Sequence, residues 1–251
     1  RLSSGDDGIH SDDIVAISGG EITISKSYEG IEGGTINVSG GTIDVVSSDD
    51  GFNAAGGADS SSTGGSRGND TFAADTSKSL VISGGTITVN AEGDGLDSNG
   101  SLAISGGTIY VSGPTTSNNG ALDSGSTLTI SGGTIVAAGS AGMAQTFDQS
   151  STQASLSYTF STEQQAGTTI TLQDASGNVI ATYTPEKTYQ NVVISAPGMT
   201  TGQSYTLYTG STAVETITLS GVVTTIGSGN MAGGMNGGFG GGQRSGGGRR
   251  G

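Results

Sequence analysis

Acidic and amide side chains recur beside a glycine at a regular interval along this chain. Each glycine is preceded by a residue pair and followed, two or three positions later, by a second polar residue. The pairs are Asp6-Asp7, Tyr28-Glu29, Asp49-Asp50, Gly93-Asp94 and Asn118-Asn119, and the later residues are His10, Glu32, Asn53, Asp97 and Asp123. Carboxylate and amide oxygens are the ligands that hard cations such as Ca²⁺ prefer. The pattern therefore predicts a cation-binding edge.

The composition agrees with cations as ligands and argues against several other partners. Eight Lys and Arg residues face 22 Asp and Glu residues, which gives a formal net charge of −14. A surface with this charge repels nucleic acid and attracts cations. The chain has no Cys, so disulfides and thiolate metal sites are excluded. With many carboxylates and no Cys, the residue types favour calcium over zinc as the bound ion.

A repeated Ser-Gly-Gly turn organises the chain that positions these acids. It follows an apolar residue five times, at a spacing of about 22 residues that is doubled once. Before and after each turn, apolar and polar residues alternate with the period of two that is typical of β-strands. The five turns are Ile17-Ser18-Gly19-Gly20, Val38-Ser39-Gly40-Gly41, Ile82-Ser83-Gly84-Gly85, Ile104-Ser105-Gly106-Gly107 and Ile130-Ser131-Gly132-Gly133.

Aligning the repeats produces three apolar columns, one for each strand of a repeat. The columns are Val15, Ile36, Leu80, Leu102 and Leu128; Ile22, Ile43, Ile87, Ile109 and Ile135; and Ile9, Ile31, Phe52, Leu96 and Leu122. Three short strands per repeat predict a solenoid of triangular section, and parallel crossovers are nearly always right-handed. We therefore predict an all-β protein built on a right-handed parallel β-helix of about five coils.

The composition changes along the chain predict three regions. Residues 1–145 form the predicted β-helix, with a Gly- and Ser-rich loop inserted at 54–79. Residues 146–226 lose the repeat and form a predicted β-rich cap, and residues 227–251 form a predicted flexible Gly-rich tail. No apolar stretch approaches the ~20 residues of a membrane-spanning helix. Because Arg1 already lies in the repeat pattern, a signal peptide is expected outside this sequence, and the expected location is extracellular or at the cell surface.

Stacked acids favour a bound divalent ion. Neighbouring strands lie about 4.8 Å apart, so carboxylates on adjacent repeats repel each other unless a cation bridges them. Ca²⁺ accepts six to eight oxygens, whereas Mg²⁺ demands a tighter octahedron. An ordinary acidic corner of Asp-Gly and Asn-Gly turns is the competing interpretation. The candidate calcium ligands are Asp6, Asp7, Glu29, Glu32, Asp49, Asp50, Asn53, Asp94, Asp97, Asn119 and Asp123.

These motifs resemble one protein family over residues 4–226. The chain is similar to the calcium-containing β-helix proteins described as carbohydrate-binding domain-containing, which are themselves similar to family 9 pectate lyases. The resemblance rests on Asp6-Asp7-Gly8-Ile9-His10, Tyr28-Glu29-Gly30-Ile31-Glu32-Gly33, Ser48-Asp49-Asp50-Gly51-Phe52-Asn53, Gly93-Asp94-Gly95-Leu96-Asp97-Ser98 and Asn119-Gly120-Ala121-Leu122-Asp123. It implies a secreted bacterial protein that binds cellulose or acidic pectic chains.

The resemblance also implies roles for individual residues. In the lyase relatives, an Asp-Asp-Gly-x-Asp segment and an acid of the preceding coil hold the catalytic calcium. The matching positions here are Asp49, Asp50 and Asn53, with Glu29 behind them. Asn53 departs from the family pattern because it keeps an oxygen ligand but lacks the charge of an Asp.

The residues that a β-elimination reaction would need match the lyase relatives less well than the calcium ligands do. A pectate lyase uses a Lys or Arg to remove the proton beside the uronate carboxylate. Lys26, Lys78 and Arg67 are the nearest in sequence to the acidic edge, and none matches the family's base. Lys26 is a solvated turn residue, a local counter-ion to Glu29 or a sugar contact. Tyr28 is the better candidate for stacking on a sugar ring.

His10, the single His, lacks the sequence context of a catalytic triad and is interpreted as an edge residue.

Three functional hypotheses remain open from the sequence. The first is a non-catalytic, calcium-dependent carbohydrate-binding protein, and it is preferred. The second is a lyase that cleaves polyuronates by calcium-assisted elimination. The third is a structural surface adhesin whose acidic ladder only stabilises the fold. The oligomeric state is not predicted.

Overall fold

A computed structural model describes residues 1–55 and 74–227, and this part of the chain is all-β, with fourteen strands and no helix. Accordingly, the described residues contain no helix that could cross a membrane. The strands are β1 (Ile9–Ile24), β2 (Ile31–Ser47), β3 (Phe52–Ala54), β4 (Ser79–Ala91), β5 (Leu96–Ser98), β6 (Ser101–Ser112), β7 (Leu128–Gly139), β8 (Ser155–Gln164), β9 (Ile170–Asp174), β10 (Val179–Tyr183), β11 (Tyr189–Ser195), β12 (Ser204–Thr209), β13 (Thr212–Thr218) and β14 (Val223–Ile226).

The repeats pair with one another in parallel. β1 pairs with β2, β2 with β4, β4 with β6, and β6 with β7. Each of these long strands runs through its Ser-Gly-Gly turn, where the register shifts. The second glycine of the turn has positive φ, from 85° at Gly133 to 103° at Gly41. Side chains disfavour this conformation, which explains why the turn requires glycine.

The parallel register stacks the predicted apolar residues into a continuous core. Ile36 pairs with Leu80, which pairs in turn with Leu102. All three are fully buried, as are Phe52 and Leu96 of the short strands β3 and β5. The columns inferred from the spacing are thus confirmed as neighbours in the sheet, and their burial supplies the main favourable free energy of folding.

The prediction of a right-handed parallel β-helix is wrong. The parallel strands belong to a curled, mixed ten-stranded sheet, sheet A, with the order β14-β8-β11-β7-β6-β4-β2-β3-β5, and β1 also pairs with β2. β11 pairs antiparallel with both β7 and β8, and β14 is parallel to β8. The 22-residue period determines how successive repeats pair, but it does not determine how the next segment continues the sheet or how the sheet curls.

Residues 146–226 contribute to two sheets. β8, β11 and β14 extend sheet A, whereas β9, β10, β12 and β13 form a separate antiparallel four-stranded sheet, sheet B. A second apolar cluster, which includes Leu156, Ile170, Tyr189 and Leu207, lies between these elements. Tyr110 of β6 stacks on Tyr183 of β10, with ring centroids 4.9 Å apart, so the later strands pack directly on the repeats.

Two sequence predictions fall largely outside the described residues. Of the loop at 54–79, residues 56–73 lie outside them, and so do residues 228–251 of the tail.

Candidate metal centre

Glycines bring the acidic positions of neighbouring repeats close together. A Cβ added at Gly51 would lie 2.5 Å from the carbonyl oxygen of Gly95, closer than real side chains come. The same carbonyl accepts a hydrogen bond of 3.2 Å from the amide of Phe52. Only glycine therefore allows this approach, and the residues on either side of it stack in register.

The carboxylates that directly precede these glycines form the corner column, defined as Asp7, Glu29, Asp50 and Asp94. Backbone amides hold its members in place. The Asp7 carboxylate accepts a hydrogen bond of 3.3 Å from the Glu29 amide, and the Asp50 carboxylate accepts one of 2.6 Å from the Asp94 amide. Asp94 in turn accepts a hydrogen bond from the amide of Gly120.

A second row of polar side chains runs parallel to the first. This strand column consists of His10, Glu32, Asn53, Asp97 and Asp123. His10 pairs with Glu32, Glu32 with Asn53, and Asn53 with Asp97, all in parallel register. The Asp123 amide donates to the Leu96 carbonyl at 2.9 Å, so Asp123 follows Asp97 in the row.

The two columns meet in two groups of potential metal ligands. One ligand atom from each of Asp94, Asp97 and Asp123 lies within 4.8 Å of the others, and the same holds for Asp7, His10 and Glu32. The first group offers only oxygen atoms. The second group adds an imidazole nitrogen.

Two buried oxygen atoms between the groups lack hydrogen-bond partners. The Asn53 amide nitrogen donates to Glu29 Oε1 at 2.9 Å. Glu29 Oε2 and Asn53 Oδ1 are buried and have no partner. Glu29 is only 5% exposed and Asn53 only 8%. A buried oxygen without a donor is destabilising unless a cation or water satisfies it, so these atoms add to the donor set.

Burial raises the pKa of most carboxyl groups in the two columns. Desolvation is the main cause for Glu29, whose pKa rises to about 8, and for Glu32 and Asp94, whose pKa values rise to about 7. Desolvation and neighbouring carboxylates raise the pKa of Asp50 and Asp97 well above the usual range. The fold therefore concentrates carboxyl groups that need either protons or a cation near neutral pH.

The donor set fits a hard divalent ion. Within residues 1–55 and 74–227, no Lys or Arg forms an ion pair with Asp94, Asp97 or Asp123, and the single Lys ion pair joins Lys187 to Glu92. Asp94 and Asp123 are half-buried, and Asp97 is 9% exposed. An oxygen-only cluster that reaches solvent matches the ligand type of Ca²⁺ and leaves positions for further ligands.

Not every predicted ligand lies in these groups. Asp6 is exposed and Asp49 is half-buried. Each lies one residue before a member of the corner column and is not itself part of that column. Asn119 is displaced by one position, because the Gly95 amide bonds to the carbonyl of Gly120 and Gly120 thus occupies the place that follows Asp94. The carbonyl of Asn119 accepts a hydrogen bond of 2.9 Å from the Ser140 hydroxyl.

Three residues, His10, Asp12 and Gln145, contribute in ways that the sequence interpretation missed. His10, interpreted as an edge residue, contacts Asp7 and Glu32. Its second ring nitrogen lies 3.1 Å from Asp12. Gln145 donates to the Asp123 carboxylate from 22 residues further along the chain. That interval equals the repeat spacing, so the spacing could have predicted that Gln145 lies beside Asp123.

The two proposed sugar-contacting residues lie beside the corner column. Tyr28 is 38% exposed, and hydrogen bonding to Asp49 raises its pKa above the usual range. Lys26 is exposed. It forms no ion pair with a described acid, so the alternative role as a counter-ion to Glu29 is not observed.

The other cations considered as a base do not join the described site. Lys78 is half-buried next to β4, and its side-chain nitrogen lies near Gly34. Arg67 lies outside the described residues.

Comparison with known proteins identifies no relative. No family model, curated protein or solved structure matches the chain. The resemblance of its motifs to calcium-containing carbohydrate-binding proteins consequently stays a prediction.

Proposed function

We propose that this protein is a non-catalytic, calcium-dependent binding protein for acidic polysaccharides. The observation that carries the proposal is the convergence of Asp94, Asp97 and Asp123 within 4.8 Å, without a Lys or Arg ion pair from the described residues. Asp50 and Asn53 lie alongside and supply further oxygens. Calcium accepts this kind of irregular, oxygen-only ligand set.

The expected ligand follows from charge. A polyuronate is an anion, and the protein carries a net charge of −14, so direct contact is repulsive. A bound divalent ion reverses the local charge, and its open positions accept carboxylates from the sugar chain. Tyr28 offers an exposed ring on which a pyranose can stack. Cellulose has no carboxylate, so its binding would depend on Tyr28 and its neighbour Lys26 rather than on calcium.

Catalysis is not part of the proposal. Elimination requires a Lys or Arg beside the calcium to remove the proton, and calcium alone holds the polymer without completing the reaction. Lys26 is the exposed cation closest in sequence to the corner column, and it is assigned to sugar contact. An extracellular or cell-surface location would suit the ligand.

Affinity electrophoresis in gels that contain polygalacturonate tests the proposal. We expect retardation with calcium, none with chelator, and no ultraviolet-absorbing unsaturated product. Asp97→Asn should abolish the retardation, whereas Asp44→Asn, which changes an exposed acid of β2, should not. A cellulose-binding assay with Tyr28→Ala examines the neutral ligand separately and should be insensitive to chelator.

Two outcomes would replace the proposal. Product formation that is lost in Lys26→Ala would make the protein a lyase. Equal mobility with and without polygalacturonate, combined with stabilisation by calcium, would favour a structural adhesin whose acidic edge only supports the fold.

A further inference from the structure

We propose that Asp7, His10 and Glu32 form a second metal site, selective for a first-row divalent transition ion such as Zn²⁺ and separate from the oxygen-only group. The two sites differ in ligand chemistry. Imidazole nitrogen binds zinc, nickel and copper well, whereas calcium takes oxygen ligands. The proposal is independent of polysaccharide binding.

The geometry directs one ring nitrogen into the site. His10 Nδ1 lies 3.4 Å from Asp7 Oδ2 and contacts Glu32 Oε2. The three ligand atoms lie within 4.8 Å of one another, a spacing that one ion can bridge. Asp7 and Glu32 belong to adjacent repeats, so the ion would link β2 to the segment that leads into β1.

The opposite ring nitrogen has the partner that a metal-bound histidine usually has. His10 Nε2 lies 3.1 Å from Asp12 Oδ1. A histidine that binds a metal through one nitrogen donates its other N–H to a carboxylate or carbonyl, which sets the tautomer and orients the ring. Asp12 is thereby a positioning residue rather than a ligand.

A buried oxygen without a partner lies between this group and the oxygen-only group, and it is a second observation beside the ligand geometry. The Glu29 amide donates to Asp7 at 3.3 Å, which places Glu29 directly beside the group. Its side chain is 5% exposed and lies within electrostatic reach of Glu32 and Asp7. Glu29 Oε1 accepts from Asn53, but Oε2 has no partner. A cation held by Asp7 and Glu32 would compensate this buried oxygen.

The exposure of the site leaves room for an exchangeable ligand. The side chains of Asp7 and Glu32 are 7% and 1% exposed, whereas that of His10 is 38% exposed. Three protein ligands leave the fourth position of a tetrahedral ion to water or to a donor from a partner molecule, which could approach from the exposed side of His10.

The single imidazole of the chain makes the test direct. Long-range ¹H–¹⁵N spectra of the full chain, with any purification tag removed, report His10 alone. In 10 mM calcium, one equivalent of zinc should shift the Nδ1 resonance to the metal-bound range and leave Nε2 protonated. Zinc calorimetry should show at least tenfold weaker binding for His10→Gln and about 10- to 100-fold weaker binding for Asp12→Asn.

Matched variants separate this site from the oxygen-only group. Asp97→Asn should keep zinc binding and lose calcium binding, and His10→Gln should do the reverse. An unshifted imidazole at saturating zinc, or equal zinc affinity of His10→Gln and wild type, would overturn the proposal and leave His10 as a counter-ion to Asp7 and Glu32. Failure of polygalacturonate binding alone would refute the proposed function and not this site.

Discussion

Replacing Glu29 with Gln should stabilise the metal-free protein at pH 8. The pKa of Glu29 rises from its usual 4.5 to about 8, mainly through burial. Between these two values the unfolded chain has lost this proton and the folded chain retains it. A pKa shift of one unit corresponds to about 1.4 kcal/mol. The ionisation of Glu29 therefore lowers the free energy of unfolding by up to about 5 kcal/mol as the pH approaches 8.

The glutamine avoids that cost and keeps the hydrogen bond from Asn53. Gln has no ionisation, and its carbonyl oxygen can still accept the hydrogen bond that Asn53 donates to Glu29. Its amide nitrogen would replace Oε2, the oxygen without a partner. We therefore expect Glu29→Gln to raise the free energy of unfolding at pH 8 by up to about 5 kcal/mol, or roughly 10 to 20 °C in the melting temperature.

The assay compares urea unfolding of metal-free protein at pH 5 and pH 8, followed by far-ultraviolet circular dichroism. Glu21→Gln is the matched control, because Glu21 is exposed on β1. Glu29→Gln should differ little from wild type at pH 5, where Glu29 is protonated in the fold. Destabilisation at pH 8, or the same change at both pH values, would refute the argument that burial opposes the ionisation of Glu29 in the folded chain.

Four further outcomes follow from the burial and packing of the same residues. The metal-free wild type should lose stability as the pH rises from 5 to 8, because Glu32 and Asp94 keep their protons in the fold up to about pH 7 and release them at lower pH when unfolded. Calcium should consequently raise the melting temperature more at pH 8 than at pH 5, and an equal increment in a calorimetric scan would contradict this. In calorimetric titrations, Asp97→Asn should weaken calcium binding at least tenfold while Asp44→Asn leaves it unchanged, and equal affinities would remove Asp97 from the site. Gly51→Ala should lower the free energy of unfolding by about 1 to 3 kcal/mol, because its Cβ would meet the Gly95 carbonyl at 2.5 Å, whereas Gly19→Ala, with no neighbour within 4 Å, should have little effect in urea unfolding.

Several features of the candidate site were predictable because they depend on nearest-neighbour spacing. The interval between repeats predicts that Glu32 lies beside Asn53 and that Asn53 lies beside Asp97, and the structure has both pairs in register. The prediction fails where the interval changes. One extra residue, Ala121, separates Gly120 from the apolar Leu122, and this moves Asn119 out of the corner column.

Other features depend on side-chain direction and burial, which the repeat does not encode. The spacing places His10 in a row with Glu32, but only the folded chain shows Nδ1 directed to Glu32 and Nε2 to Asp12. Likewise, the two unpartnered oxygens of Glu29 and Asn53 result from packing on both sides of the row.

The sequence alone determined which residues of successive repeats pair in parallel and how most of the acidic residues align. A period of two specifies which side chains face the core, and a period of about 22 residues specifies which residues become neighbours. Only the tertiary structure decided that β11 continues the sheet in the antiparallel direction and that the sheet is curled and mixed. Local periodicity constrains adjacent strands, whereas the path of a sheet and the electrostatic environment of a buried carboxylate depend on the packing of all the elements together.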